Sequence, residues 1–248
     1  MNRAACFFCW MLVCFSGALE SSSAASAESW FQTGVTAYNS ARYDEAARAF
    51  EESARLQLAS GTLQNWGNAE WKANRPGAAI LAWEQSLWMN PFHDVARSNL
   101  RFARKQAQLE APELKWFEVV SSWLPAGWWA WLAGVSLWLA VAIISLPGLL
   151  GRPRTSWHQA VAAIGFMVFL LSIPAHFGVT SRARIGLVLE VDTPLRLTPT
   201  AEAQIVTRLP AGQPARYERR RGDYLLIRAG THGFRGWVDQ KQFGLICR

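Results

Sequence analysis

Four histidines (His93, His158, His176 and His232) and four cysteines hold most of the acid–base, nucleophilic and metal-ligand chemistry this sequence could offer at neutral pH. No histidine stands at metal-ligand spacing from a cysteine or an acid. His158 and His176 are 18 residues apart, or five helical turns, so they mark the two ends of one helix and not a shared site. A proton relay between them would need acids in the interval, which has none. Cys6, Cys9 and Cys14 lie in an apolar N-terminal stretch, and its removal would leave Cys247 alone, with no internal disulfide to form. With no glycine-rich phosphate loop either, the sequence predicts no enzyme, no cofactor and no metal. The net charge of +7 would suit nucleic acid, but an exported chain has little access to it, so no nucleic-acid partner is expected.

Recognition chemistry is better represented. Phe31, Tyr38, Asn65, Asn68, Trp71 and Asn99 fall at positions expected to share one face of a helical array, with Asn65 and Asn99 recurring 34 residues apart. An asparagine amide both donates and accepts, as an extended peptide backbone does. Aromatic side chains add apolar area, as anchors of interfaces often do. The bland alternative is that the asparagines satisfy local backbone and the aromatics are partly core. No basic pair suited to clamping a terminal carboxylate is present on this face.

These residues are positioned by a repeat. "WFQTGVTAYNSARYDEAARAFEESARL" aligns with "LQNWGNAEWKANRPGAAILAWEQSLWMNP" at a spacing of 33 residues, pairing Gly34 with Gly67, Ala46 with Ala79, Phe50 with Trp83 and Ser53 with Ser86. The pattern, with Trp30, Tyr43 and Pro91 at further expected places, resembles the tetratricopeptide repeat, a helix–turn–helix unit of about 34 residues. The resemblance implies an all-α repeat domain over residues 28–110. A helix "DVARSNLRFARKQAQ" with Asp94 as N-cap would close it. Stacked repeats usually need three or more units, so two imply support from the cap, a second copy or a partner.

Two long runs free of Asp, Glu, Lys and Arg follow, Trp128–Gly151 and Thr155–Ser181. Each exceeds the roughly 20 residues that cross a bilayer. They predict a transmembrane hairpin: a first helix over 124–150, a loop over 151–156 and a second helix over 157–179. The N-terminus, "MNRAACFFCWMLVCFSGAL", has the layout of a secretory signal peptide over residues 1–27. Cleavage after Ala18 and after Ala27 both fit, and an uncleaved anchor is the alternative. Flanking charge is equivocal, because Arg152 and Arg154 in the loop are outnumbered by Arg101, Arg104, Lys105, Lys115, Arg182 and Arg184 outside it. The signal breaks the tie and directs both folded parts to the periplasmic side of the inner membrane. Trp123, Trp128, Trp129 and Trp131 would lie near the outer interface and Trp157 near the inner one, with Trp138 at mid-membrane.

From residue 185 to 248 short β-rich stretches alternate with turn residues, which predicts a small all-β barrel. Leu209, Pro210, Gly212, Gly236, Trp237 and Val238 match a Leu-Pro-x-Gly turn paired with a later Gly-Trp-Val strand, and Tyr224 stands where an aromatic is usual. This resembles the bacterial SH3 (SH3b) family, which implies binding of protein or cell-wall peptide. The candidate surface is Tyr224, Arg228 and Trp237. Arg216, Arg219, Arg220, Arg221, Arg228 and Arg235 make the module basic, which would draw it to anionic lipid or wall polymer; the alternative is a solvated hairpin tip at "RRRGD".

The whole is therefore expected to be multidomain: signal, all-α repeats, membrane hairpin, SH3-like barrel. That order, with "NWGNAEWKANRPGAAILAWEQSLWMNPFHDVARSNLRFAR" and "WLPAGWWAWLAGVSLWL", resembles the BatE-like proteins of the Bacteroides aerotolerance group. The resemblance implies a membrane-anchored scaffold among other envelope proteins, with von Willebrand factor A membrane proteins and a MoxR-type ATPase system as partners and a link to envelope stress. The alternative is a cell-wall anchor that holds peptidoglycan through the SH3-like module.

Overall fold

The computed structural model describes residues 24–151, 153, 155–230 and 233–247. The N-terminal apolar stretch, with the cleavage position after Ala18, lies outside the described residues. The position after Ala27 lies within helix α1, which covers 24–39. Ala27 is buried there and its carbonyl accepts from Ser53 Oγ at 2.8 Å.

Four more helices complete an array: α2 (Tyr43–Leu56), α3 (Ser60–Lys72), α4 (Pro76–Met89) and α5 (Asp94–Gln106). Acids at Asp44 and Glu45 and a base at Arg55 complement the dipole of α2, and Pro76 opens α4 where its missing N–H is harmless. The 33-residue period is physical as well as textual. Ala41 and Asn74 both turn the chain at positive φ, 58° and 60°. Ser53 Oγ bonds the carbonyl of Ala27, and Ser86 Oγ that of Ser60, both at 2.8 Å. Phe50 lies over Gly34 and Trp83 over Gly67, so close that a Cβ on either glycine would fall 2.7 or 2.5 Å from the ring. Helix α5 repeats the first helix of a unit, and Gln108 after it again has positive φ. Its N-cap is His93, whose Nδ1 accepts from the Ala96 N–H, and Asp94 is the first helical residue.

After a short helix α6 (Trp116–Ser121), α7 (Ala126–Leu149) and α8 (Ser156–Arg182) form an antiparallel hairpin. Both are long and apolar enough to cross a membrane, with mean hydropathy 2.0. Only 17% and 22% of their most apolar windows is buried, unlike the core helix of a soluble protein. The buried contacts are small residues, Ser136 and Ala140 facing Ala162 and Gly165, which allow close approach without a water-driven hydrophobic effect. Trp123, Trp128, Trp131, Trp138 and Trp157 face outward, whereas Trp129 turns inward and donates from Nε1 to the Ser121 carbonyl at 3.2 Å.

The C-terminal part is a seven-stranded antiparallel sheet: β1 (Ile185–Val188), β2 (Thr193–Arg196), β3 (Ile205–Leu209), β4 (Pro214–Arg221), β5 (Tyr224–Ala229), β6 (Phe234–Asp239) and β7 (Phe243–Leu245). The order is β3-β2-β6-β5-β4-β1-β7, with a core of Val188, Leu195, Ile227, Val238 and Phe243. Six strands fall on the β-rich stretches of the sequence, 186–191, 194–199, 204–210, 213–220, 223–229 and 234–239, and β7 is additional.

The sheet docks on the array. Leu187 joins Ala79, Ile80 and Trp83 in one buried cluster, and Gln85 Nε2 donates to the Leu245 carbonyl at 3.0 Å. At Gly77 the two parts meet so closely that a Cβ would overlap the Leu189 carbonyl. Helix α4 has no polar face because it is buried on both sides, by α3 and α5 on one and by the sheet on the other. Support for a two-unit array thus comes from the cap and from the chain's own C-terminal sheet. Array and sheet lie at the same end of the hairpin.

Candidate functional site

The six residues read from the sequence lie on α1, α3 and α5, the first helices of the successive units. Phe31 packs on Phe50 with ring centroids 5.6 Å apart, and Tyr38 on Tyr43 at 5.4 Å. Burial, helped by neighbouring Tyr43, holds the Tyr38 phenol above its ordinary pKa, so it stays a hydrogen-bond donor across the neutral range. Asn99 Nδ2 donates to Asn68 Oδ1 at 2.8 Å, and Trp83 Nε1 reaches the same oxygen at 3.2 Å. Asn68 Oδ1 thus serves bonds inside the array, to side chains and not to local backbone. Among the described residues, its Nδ2, the Asn99 Oδ1 and the whole Asn65 amide have no protein partner. Asn65 and Asn68 line a cavity of about 230 Å³ with Val35, Tyr38 and Phe50, and Asn65 also borders a second cavity of about 300 Å³ beside Phe31.

Trp71 is half-buried between Trp83 (5.8 Å) and Phe102 (6.0 Å). Phe102 is 61% exposed and extends the aromatic surface beyond the residues read from sequence. Its spacing of three from Asn99 on α5 is the signal that could have found it. Trp66 is also partly buried, its Nε1 donating to Glu70 Oε1 at 2.9 Å. This face can offer free amide donors and acceptors beside aromatic rings, which is chemistry for holding an extended chain. Among the described residues, no three His, Cys, Asp or Glu side chains come together as a metal-ligand set.

On the sheet, Tyr224, Arg228 and Trp237 share one face, since Leu226, between the first two, pairs with Trp237. They are not equally available. Trp237 is 6% exposed with the Arg219 guanidinium 5.5 Å above its ring, and Arg228 is bound to Glu218 at 2.7 Å. Tyr224 is half-buried, and the tip residues Arg219, Arg220 and Arg221 are exposed.

A third cluster was missed from sequence. Glu118 on α6 is fully buried, its carboxylate accepting from Arg216 Nη1 and Nη2 at 2.8 and 2.7 Å, from Ser181 Oγ and from the Lys115 N–H at 2.8 Å. Arg216 also donates to the Glu113 carbonyl at 2.9 Å. The clasp joins β4 to α6 and to the end of α8. Burial alone would raise the Glu118 carboxyl, but these hydrogen bonds and the Arg216 charge outweigh it and hold it below the usual carboxylate range. Its one sequence signal was a lone acid within the apolar stretch "WFEVVSSW". No family model matches this chain, and no curated protein matches it.

Proposed function

We propose that this chain is a membrane-anchored protein-interaction scaffold of the bacterial envelope. The carrying observation is that, among the described residues, the Asn65 amide, Asn68 Nδ2 and Asn99 Oδ1 have no protein partner and lie near Phe31, Tyr38, Trp71 and Phe102. In this reading the array is a tetratricopeptide-repeat domain capped by α5, its open face receives an extended segment of another envelope protein, and the sheet is an SH3b module that braces it. The two parts face the periplasm, a placement that rests on the N-terminal apolar stretch acting as a signal and on the shared end of the hairpin. The resemblance to BatE-like proteins extends the proposal to von Willebrand factor A membrane proteins and a MoxR-type ATPase system as partners, in aerotolerance or envelope stress. The exposed arginines at the β4–β5 tip favour a second reading, a cell-wall anchor.

Crosslinking in intact cells, followed by capture of wild-type and Asn65→Ala/Asn99→Ala proteins, tests the proposal. A discrete envelope protein held by the wild type and lost from the folded variant is the expected result. Equal capture by both would remove the groove from the account. Retention on purified peptidoglycan that depends on Arg219–Arg221 would favour the anchor.

A further inference from the structure

Helix α6 has its polar and apolar sides reversed. Its inward side is polar: Glu118 and Ser121 are fully buried at the end of α8, where Ser181 Oγ donates to the Glu118 carboxylate. Its outward side is apolar. Trp116 and Trp123 are 68% and 61% exposed, and Val119 between them is exposed as well. Steps of three and four residues put Trp116, Val119 and Trp123 along one face of the helix and the turn that continues it. A helix bordered by water turns its apolar stripe inward and its polar residues outward. The reverse order on α6 fits a surrounding other than water.

The neighbours of α6 identify that surrounding. Gly178 lies within the uncharged run of α8, one turn before Arg182. A Cβ there would overlap the Phe117 carbonyl and fall 2.7 Å from Ser121 Cβ, so α6 lies directly against the last turns of a membrane-length helix. Trp129 Nε1, in the first turn of α7, donates to the Ser121 carbonyl on the same short helix. The outward face of α6 is therefore continuous with the outer surface of the hairpin, where Trp128 is also exposed, at the level where acyl chains give way to head groups. Among the described residues, the Trp116 and Trp123 indole N–H groups have no protein partner, and an apolar ring with a free N–H suits that boundary. We infer that α6 is an in-plane membrane helix whose Trp116–Val119–Trp123 face is covered by lipid of the leaflet nearest the array and the sheet. The Glu118–Arg216 clasp then ties the sheet, and the array docked on it, to an element held at the bilayer surface. The inference rests on α7 and α8 crossing the membrane and not on the scaffold reading.

The test uses the full chain, its native cysteines replaced by alanine, in nanodiscs of phosphatidylethanolamine and phosphatidylglycerol. One nitroxide-labelled cysteine is introduced at a time. Trp116→Cys, Val119→Cys and Trp123→Cys sample the face, and three positions keep the test readable if one substitution disturbs packing. Val135→Cys, exposed on α7, is the lipid reference, and Ser98→Cys, exposed on α5, is the water reference. Relaxation of each label by oxygen, which concentrates in lipid, is compared with relaxation by a water-soluble nickel chelate. The ratio of oxygen to nickel relaxation on the α6 face should lie closer to the Val135 value than to the Ser98 value. A ratio closer to that of Ser98 would put the face in water and overturn the inference. Labels shielded from both reagents would show that protein covers the face, a second copy or another envelope protein, and would overturn it too.

Discussion

Arg216→Ala should release the sheet from the membrane-proximal helix. The substitution deletes both guanidinium hydrogen bonds to Glu118, at 2.8 and 2.7 Å, and leaves a carboxylate of 0% exposure with only Ser181 Oγ and the Lys115 N–H. Removing one partner of a buried pair costs about 3–5 kcal/mol. Protonation limits that loss. At pH 7, neutralising a carboxyl of ordinary pKa near 4.3 costs about 3.7 kcal/mol, at 1.36 kcal/mol per pH unit. Arg216 itself keeps 31% side-chain exposure, so screening moves the figure toward the low end, about 3 kcal/mol. At pH 5 the cost of protonation falls by about 2.7 kcal/mol, and most of the deficit should vanish. Wild type should behave in the opposite sense. Its Glu118 pKa is lowered on folding, so the stabilisation is complete above about pH 4.3 and is lost as pH falls through the lower folded value. Thermal melts of full-length wild type, Arg216→Ala, Glu118→Gln and the double variant in detergent, at pH 7 and pH 5, measure this. A deficit within about 0.5 kcal/mol at pH 7, or one that does not change between the two pH values, would refute the clasp as a stabilising contact.

Val141 is exposed on α7, so Val141→Asp would meet lipid; insertion scales assign about 2.5–3.5 kcal/mol to Asp at the helix centre, and membrane levels of the variant should collapse in fractionation blots. Trp83→Ala, at a site 2% exposed, should destabilise by about 3–5 kcal/mol. Half-buried Trp71→Ala should lose clearly less, with the difference read in melts and the groove function in crosslink capture beside them. A phosphatase fused after Arg248 should be active and a fluorescent protein there dark, because array and sheet share one end of the hairpin; the reverse pattern would place both in the cytoplasm.

Much of this architecture was legible locally. The 33-residue period, the two uncharged runs and the alternating strands are short-range patterns, and each reports a face or a span that must leave water. They led to the helix hairpins, the membrane-length helices and six of the seven strands, and they put Phe31, Tyr38, Asn65, Asn68, Trp71 and Asn99 on the first helices of the units. What such patterns leave open is the surface each apolar face meets. Nothing local told that the lack of a polar face on α4 means a sheet on its second side, with Gln85 reaching Leu245 across 160 residues. The Glu118–Arg216 clasp closes over 98 residues. His93 displaced Asp94 as the cap through a local bond to the Ala96 N–H. Asn68 was drawn into bonds with Asn99 and Trp83 because those distances are set only when α3, α4 and α5 stack. Trp237, a strand aromatic that alternation cannot assign to core or surface, lies under Arg219 once β4, β5 and β6 align. The sequence by itself determined which segments form helices and strands and which can leave water. Only the tertiary structure decided their partners, because long-range pairing depends on the simultaneous fit of surfaces far apart in the chain.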